Sequence, residues 1–296
     1  MHEGRLSLRG RLHALTLGAV AVALLPARTP AALASSTAAP TQVVPFPGYS
    51  LHDESQHGRF RVQRWTSADV PEVSPAGICD CIIEVYVGKR LVLKLGTPGN
   101  VEAITIDDAT GRDLDGDGRT DLVVSTWSGG AHCCYSMHAY SVGRKAKPLL
   151  SLDTGDCGPG EFSDLNHDGD VEFLTCDESW KDRYCSFALA PFPTVVYAYD
   201  ARRGSYRIAT PRFTAHFSAE IASGRAEAER QIQAAAAPDS GEVKCAVLHP
   251  ALALIYSGAM DAGLDTIRQL YHGADVDAFV AETEAAVRAS PLWVAR

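Results

Sequence analysis

The chain has no run of basic residues and no basic–aromatic platform. That disfavours a nucleic-acid role, because affinity for phosphate backbones is gained by cations that release counterions. Phosphate-loop, dinucleotide and His-Glu-x-x-His zinc fingerprints are missing, and so is the Gly-x-Ser-x-Gly elbow of hydrolases. Cys-x-x-Cys does not occur either, since Cys79-Asp80-Cys81 and Cys133-Cys134 have the wrong spacing for a redox motif. Beyond residue 34 no stretch is apolar for the roughly 20 residues that a membrane helix requires.

Apolar length is concentrated at the start. Arg5, Arg9 and Arg11 precede an apolar stretch of 14 residues, Leu12 to Leu25, followed by Pro26, Pro30 and the small-x-small run Ala32-Leu33-Ala34. This order of basic, apolar and small residues predicts a signal peptide over 1–34 and export to the periplasm or the extracellular medium. No cysteine follows Ala34 closely, so a lipid anchor is not expected. Removal leaves 262 residues with 23 basic and 35 acidic side chains, a formal charge of −12. That length suffices for one large domain or two smaller ones.

All eight cysteines lie in the exported part: Cys79, Cys81, Cys133, Cys134, Cys157, Cys176, Cys185 and Cys245. An even count in an oxidising compartment predicts disulfides, although eight cysteines allow 105 complete pairings. Cys157 with Cys176, or Cys176 with Cys185, would staple the segment between them. Cys245 would join the C-terminal part to an upstream partner.

The most informative segment is acidic. Asp113-Leu-Asp115-Gly-Asp117-Gly-Arg119-Thr-Asp121 is echoed 51 residues later by Asp164-Leu-Asn166-His-Asp168-Gly-Asp170-Val-Glu172. Each places oxygen-bearing side chains at positions 1, 3, 5 and 9, with glycine at 6, a spacing suited to a hard cation such as calcium. Position 7, Arg119 or Asp170, would offer its backbone carbonyl. The predicted ligands are therefore Asp113, Asp115, Asp117, Arg119 and Asp121 for one structural Ca2+, and Asp164, Asn166, Asp168, Asp170 and Glu172 for a second. The second loop carries fewer charges and a longer arm at position 9, which predicts weaker binding. Position 12 is Val124 or Thr175, where a calcium hand has glutamate, and strand-like segments flank both loops. A loop-strand device is expected, not a calcium switch.

On these residues the chain resembles proteins with FG-GAP or VCBS-type repeats, over Asp113–Val124 and Asp164–Leu174. Ser128-Gly-Gly-Ala-His132-Cys133-Cys134 with Tyr135, and the ending Ser290-Pro291-Leu292-Trp293, resemble a group of exported bacterial proteins of uncharacterised role. Together the resemblance spans about 79–293. It implies loops that stabilise β-blades while binding lies elsewhere, and it carries no reaction with it. Two repeats are too few for a closed propeller, which needs at least about four blades.

The remaining texture divides at about residue 212. Residues 35–48 predict a flexible lead-in. Strand-like segments follow at Ile82–Val87, Leu91–Leu95, Val101–Ile106, Leu122–Trp127, Tyr135–Val142, Leu149–Leu152, Phe173–Cys176, Thr194–Tyr199 and Tyr206–Ile208. Beyond Phe213 helix formers dominate, with Gly258 breaking a long region from Val243 to Tyr271 and Asp275 placed to cap a last helix. The expected fold is a mainly β domain over 49–212, partially propeller-like or sandwich-like, followed by a small helical domain over 213–296.

These features predict an exported, calcium-stabilised scaffold or binding module with a protein, peptide or glycan partner and no catalytic residues. The alternative is an exported hydrolase using His132 and Cys134, or carboxylates such as Asp107 and Asp108 beside the first loop. Trp180, set among charged residues, is equally suited to burial and to recognition.

Overall fold

A computed structural model describes residues 46–69, 78–130 and 134–296, and these belong to the unit Val44–Arg296. The expected signal peptide, the lead-in up to residue 45, His132 and Cys133 lie outside the described residues.

The first eight strands build one antiparallel sheet: β1 (Tyr49–His57), β2 (Phe60–Ser67), β3 (Ile78–Val87), β4 (Arg90–Leu95), β5 (Val101–Ile106), β6 (Asp121–Trp127), β7 (Tyr135–Val142) and β8 (Ala146–Gly155). Their order is β1-β2-β3-β5-β6-β7-β8, with β4 paired to the far end of β3. Thus β3 serves two neighbours on one side, Ile78–Asp80 against β5 and Ile83–Val87 against β4. Cys79 and Cys81, two apart on one face of β3, are joined to each other and are fully buried.

A second antiparallel sheet has the order β12-β11-β10-β9, from β9 (Glu161–Ser163), β10 (Glu172–Cys176), β11 (Thr194–Asp200) and β12 (Ser205–Ile208). Four helices follow: α1 (Ser218–Ala234), α2 (Gly241–Tyr256), α3 (Met260–Leu270) and α4 (Val276–Ala289). Apolar residues occur around most of α2, and 11 of its 16 residues are buried, so it packs between α1 and α3 and against β11. One hydrophobic cluster runs through Val123 and Met137 of the large sheet, Phe173 and Tyr197 of the small one, and Leu248 and Ile267 of the helices. The change of texture near 212 is therefore a change of layer within a shared core.

Two sheets and four helices agree with a mainly β region followed by helices, and no closed ring is formed by the described strands. Two details differ from the sequence reading, the β1–β2 hairpin and the role of Asp275. The hairpin β1–β2 lies in a segment with no predicted strand, because polar residues such as Asp53, Glu54 and Gln56 mask its alternation. Of the two pairings that the sequence leaves open for Cys176, the structure has Cys157–Cys176, and Cys245 joins the helices to Cys185 upstream, as expected. Asp275 stands at the start of α4 but makes no capping bond. Its carboxylate instead accepts from the Tyr271 hydroxyl at 2.7 Å and Lys244 Nζ at 2.6 Å.

Candidate metal centre

The first acidic loop joins β5 to β6 and the second joins β9 to β10, so each delivers the chain into a strand. Both are closed by the same bonds. In the first, Gly118 N–H donates to Asp113 Oδ2 at 2.7 Å; in the second, Gly169 N–H donates to Asp164 Oδ2 at 3.1 Å. Position 5 donates its N–H to the position 3 side chain, Asp117 to Asp115 at 3.3 Å and Asp168 to Asn166 at 3.2 Å. Gly118 and Gly169 both have φ near +80 to +90°, which glycine adopts at little cost and which turns the loop around its centre. At position 4 Gly116 has φ +72°, whereas His167 holds the same left-handed conformation at +60° with a β-carbon.

Asp113, Asp115 and Asp117 each offer a carboxylate oxygen, and these three atoms lie within 4.8 Å of one another. Three anionic oxygens so close repel, and a hard cation at their centre relieves that repulsion. Asp121, the first residue of β6, stands outside that group of three but feels its charge. It is fully buried, its Oδ2 accepts the N–H of Leu114 at 2.8 Å, and its Oδ1 is buried without a hydrogen-bond partner. Such an atom is costly in the absence of a cation or a donor. Burial drives the Asp121 pKa up to about 7; the Leu114 bond opposes this, and the charges of Asp115, Asp113 and Asp117 reinforce it.

In the second loop Asp164 Oδ1 is likewise buried and unpartnered. Glu172 is buried, accepts the Leu165 N–H at 3.0 Å, and has its pKa raised chiefly by desolvation. Asp168 is instead held below the usual carboxylate range, first by the Asp170 N–H and then by Asn166. Among the described residues the tight convergence of three carboxylates occurs in the first loop, and the second has no equivalent. The Asn166 side chain spends its Nδ2 on Asp168 Oδ2 at 2.8 Å. The ten predicted residues thus lie in two loops closed by matching bonds, and three of them converge in the first. For Arg119, a guanidinium–Asp117 contact at 3.3 Å is present.

Two long-range contacts that the sequence pattern does not reveal join the loops. The Tyr206 hydroxyl of β12 lies 3.1 Å from the carbonyl of Leu114 and 2.7 Å from that of Val171. Its one proton is shared between position 2 of the first loop and position 8 of the second. Arg112, just before the first loop, donates to the Phe162 carbonyl in β9 at 2.9 Å. Disulfide Cys157–Cys176 brackets the second loop.

The other singled-out residues have structural partners. Trp180 is buried and its indole N–H donates to Tyr256 Oη at 3.3 Å; Tyr256 in turn donates to the buried Asp177 at 2.6 Å. Ser290, first residue of the Ser-Pro-Leu-Trp ending, donates its hydroxyl to the same carboxylate. Asp107 accepts the Ala109 N–H at 2.8 Å in a local turn. Trp127 stacks on Tyr135 with ring centroids 5.6 Å apart. Cys134 is disulfide-bonded. No helix among the described residues is long and apolar enough to cross a membrane. No protein-family model, curated protein or solved structure matches the chain.

Proposed function

We propose that the chain is an exported, calcium-stabilised scaffold or binding module that performs no covalent chemistry. The observation that carries this reading is the buried, unpartnered Asp121 Oδ1 beside the converging carboxylates of Asp113, Asp115 and Asp117. A divalent cation there neutralises the cluster and satisfies the orphaned oxygen, so ion binding and folding become one process. Asp164, Asn166, Asp168, Asp170 and Glu172 form the second, weaker site, supported by the parallel bonds to Asp164 and Glu172. Because both loops precede strands, the ions tie the starts of β6 and β10 in place, as the likeness to FG-GAP and VCBS repeats implies. The disulfides Cys79–Cys81, Cys157–Cys176 and Cys185–Cys245 agree with an oxidising compartment outside the cytoplasm, to which the signal peptide would direct the chain.

The rival hydrolase reading draws no support from Cys134, whose sulfur is already bonded. Calcium titration followed by scanning calorimetry tests the proposal. Calcium at a thousandfold excess over its Kd should stabilise the fold by about 4 kcal/mol. Replacing Asp115 and Asp117 together by Asn should remove most of that gain. A melting temperature indifferent to calcium in the unsubstituted protein would end the proposal.

A further inference from the structure

We infer that the arginine-lined depression beside β12 binds the phosphate group of a small organic phosphate monoester, whose body lies in the adjoining cleft between the two sheets. This goes beyond the metal reading and does not depend on it.

The site starts from the turn between β11 and β12. Arg202 and Arg203 stand in that turn, Arg207 follows in β12, and Arg212 comes shortly after the strand. All four are exposed and line one depression of about 430 Å³, in which Asp200 is the sole acidic residue. The Lys147 ammonium, from the start of β8, lies against Gly204 of the same turn. Five cations gather at this corner of a chain whose formal charge is −9.

Two of the arginines are already answered. Arg203 holds Asp200 at 2.8 Å, and the charge of Arg212 reaches Asp168 in the second acidic loop. Arg202 and Arg207 have no ion pair among the described residues, so two guanidiniums of the depression are uncommitted. Like charges gathered in this way repel, and an anion between them relieves the repulsion. The planar fork of a guanidinium matches two oxygens of one phosphate. A phosphate monoester carries close to two negative charges on a single group at pH 7, which suits two free guanidiniums. A carboxylate or a sulfate ester brings only one.

The neighbouring cleft supplies room for the rest of the ligand. β8 and β12 lie side by side but belong to different sheets, with no ladder between them among the described strands. The cleft there has a volume of about 600 Å³, within the range of small-ligand pockets. Leu150 and Leu152 of β8 face Tyr206 and Ile208 of β12 across it. Arg203, Arg207 and Ile208 line the cleft and the depression alike, so the two hollows adjoin at these residues. A phosphate held by Arg207 can therefore lay an apolar body over Leu152 and Ile208, which are half-buried and keep surface to cover.

Isothermal titration calorimetry on the whole protein with calcium present, using phenyl phosphate as the probe, tests this. Saturable binding is expected with a Kd at or below about 1 mM. Phenyl sulfate, with one charge, and inorganic phosphate, with no apolar body, should each bind about tenfold more weakly. Arg207→Gln should weaken phenyl phosphate binding about tenfold, and its combination with Arg202→Gln about a hundredfold. Both positions are exposed, so the melting temperature should hold. Arg90→Gln, exposed in β4, should change nothing. Unchanged affinity in Arg207→Gln, or equal affinity for the three probes, would overturn the inference. So would binding that disappears only when Asp115 and Asp117 are replaced by Asn, since the phosphate would then sit on a loop-bound metal. Arginine-dependent binding that persists while calcium leaves the melting temperature untouched would refute the metal reading alone.

Discussion

Asp121 and Glu172 hold the same place in two loops 51 residues apart: each buried carboxylate accepts the backbone N–H of the second residue of its own loop, at 2.8 Å and 3.0 Å. One oxygen closes the ring and the other is left for the interior. In Asp121 that second oxygen has no partner.

The Asp121 pKa of about 7, against 3.8 for a free side chain, makes stability depend on pH. The folded state without calcium binds this proton more tightly than the unfolded chain. The associated stability is complete below about pH 4 and is lost as pH rises through about 7. Denaturant midpoints in EGTA should therefore fall across that window, and calcium should flatten the profile. Asp121→Asn keeps an acceptor for Leu114 and should abolish both the fall and the calcium response. A variant that still gained stability from calcium would show that Asp121 is no ligand.

Tyr206→Phe tests the link between loops. Removing the hydroxyl leaves the buried carbonyls of Leu114 and Val171 short of a donor, which should cost about 1–3 kcal/mol. Amide exchange should accelerate in both loops at once. Acceleration confined to one loop would show that the shared proton does not couple them.

His167→Gly should stabilise the chain by about 1 kcal/mol, because a residue with a β-carbon is held at φ +60° where Gly116 stands in the first loop. His167 is exposed, so no packing is lost. Urea denaturation would register the gain, and a loss would mean that the imidazole contributes to the loop.

Asp177→Ala removes the acceptor shared by Tyr256, Ser290 and the Ser179 N–H. Breaking a buried network of this kind should cost about 3 kcal/mol or more, read as a lower urea midpoint. Ser290→Ala should cost less, since Tyr256 still serves the carboxylate.

Much of this architecture could be read from the chain. The strands beside the acidic loops are rich in β-branched residues, and Gly118 and Gly169 mark their turns, so local chemistry reports local structure. The β1–β2 hairpin escaped because its outward residues are polar on both strands and its register includes a slip at Leu51. For the candidate site, spacing pointed to the two acidic loops but not to what stands behind them. Tyr206 lies 85 residues beyond Asp121, and nothing local to its strand marks it as the bridge between loops. Trp180 was equally suited to the surface by its charged neighbours; its burial depends on Tyr256, in a helix 76 residues away. Contacts of that range are made by topology, and periodicity does not encode them.

The bond between Cys185 and Cys245 spans the exposed turn at 235–240 between α1 and α2. A protease cutting that turn would open the backbone without releasing either piece. The two products would travel together until a reductant separated them, so cleavage in an oxidising medium would go unseen on a non-reducing gel.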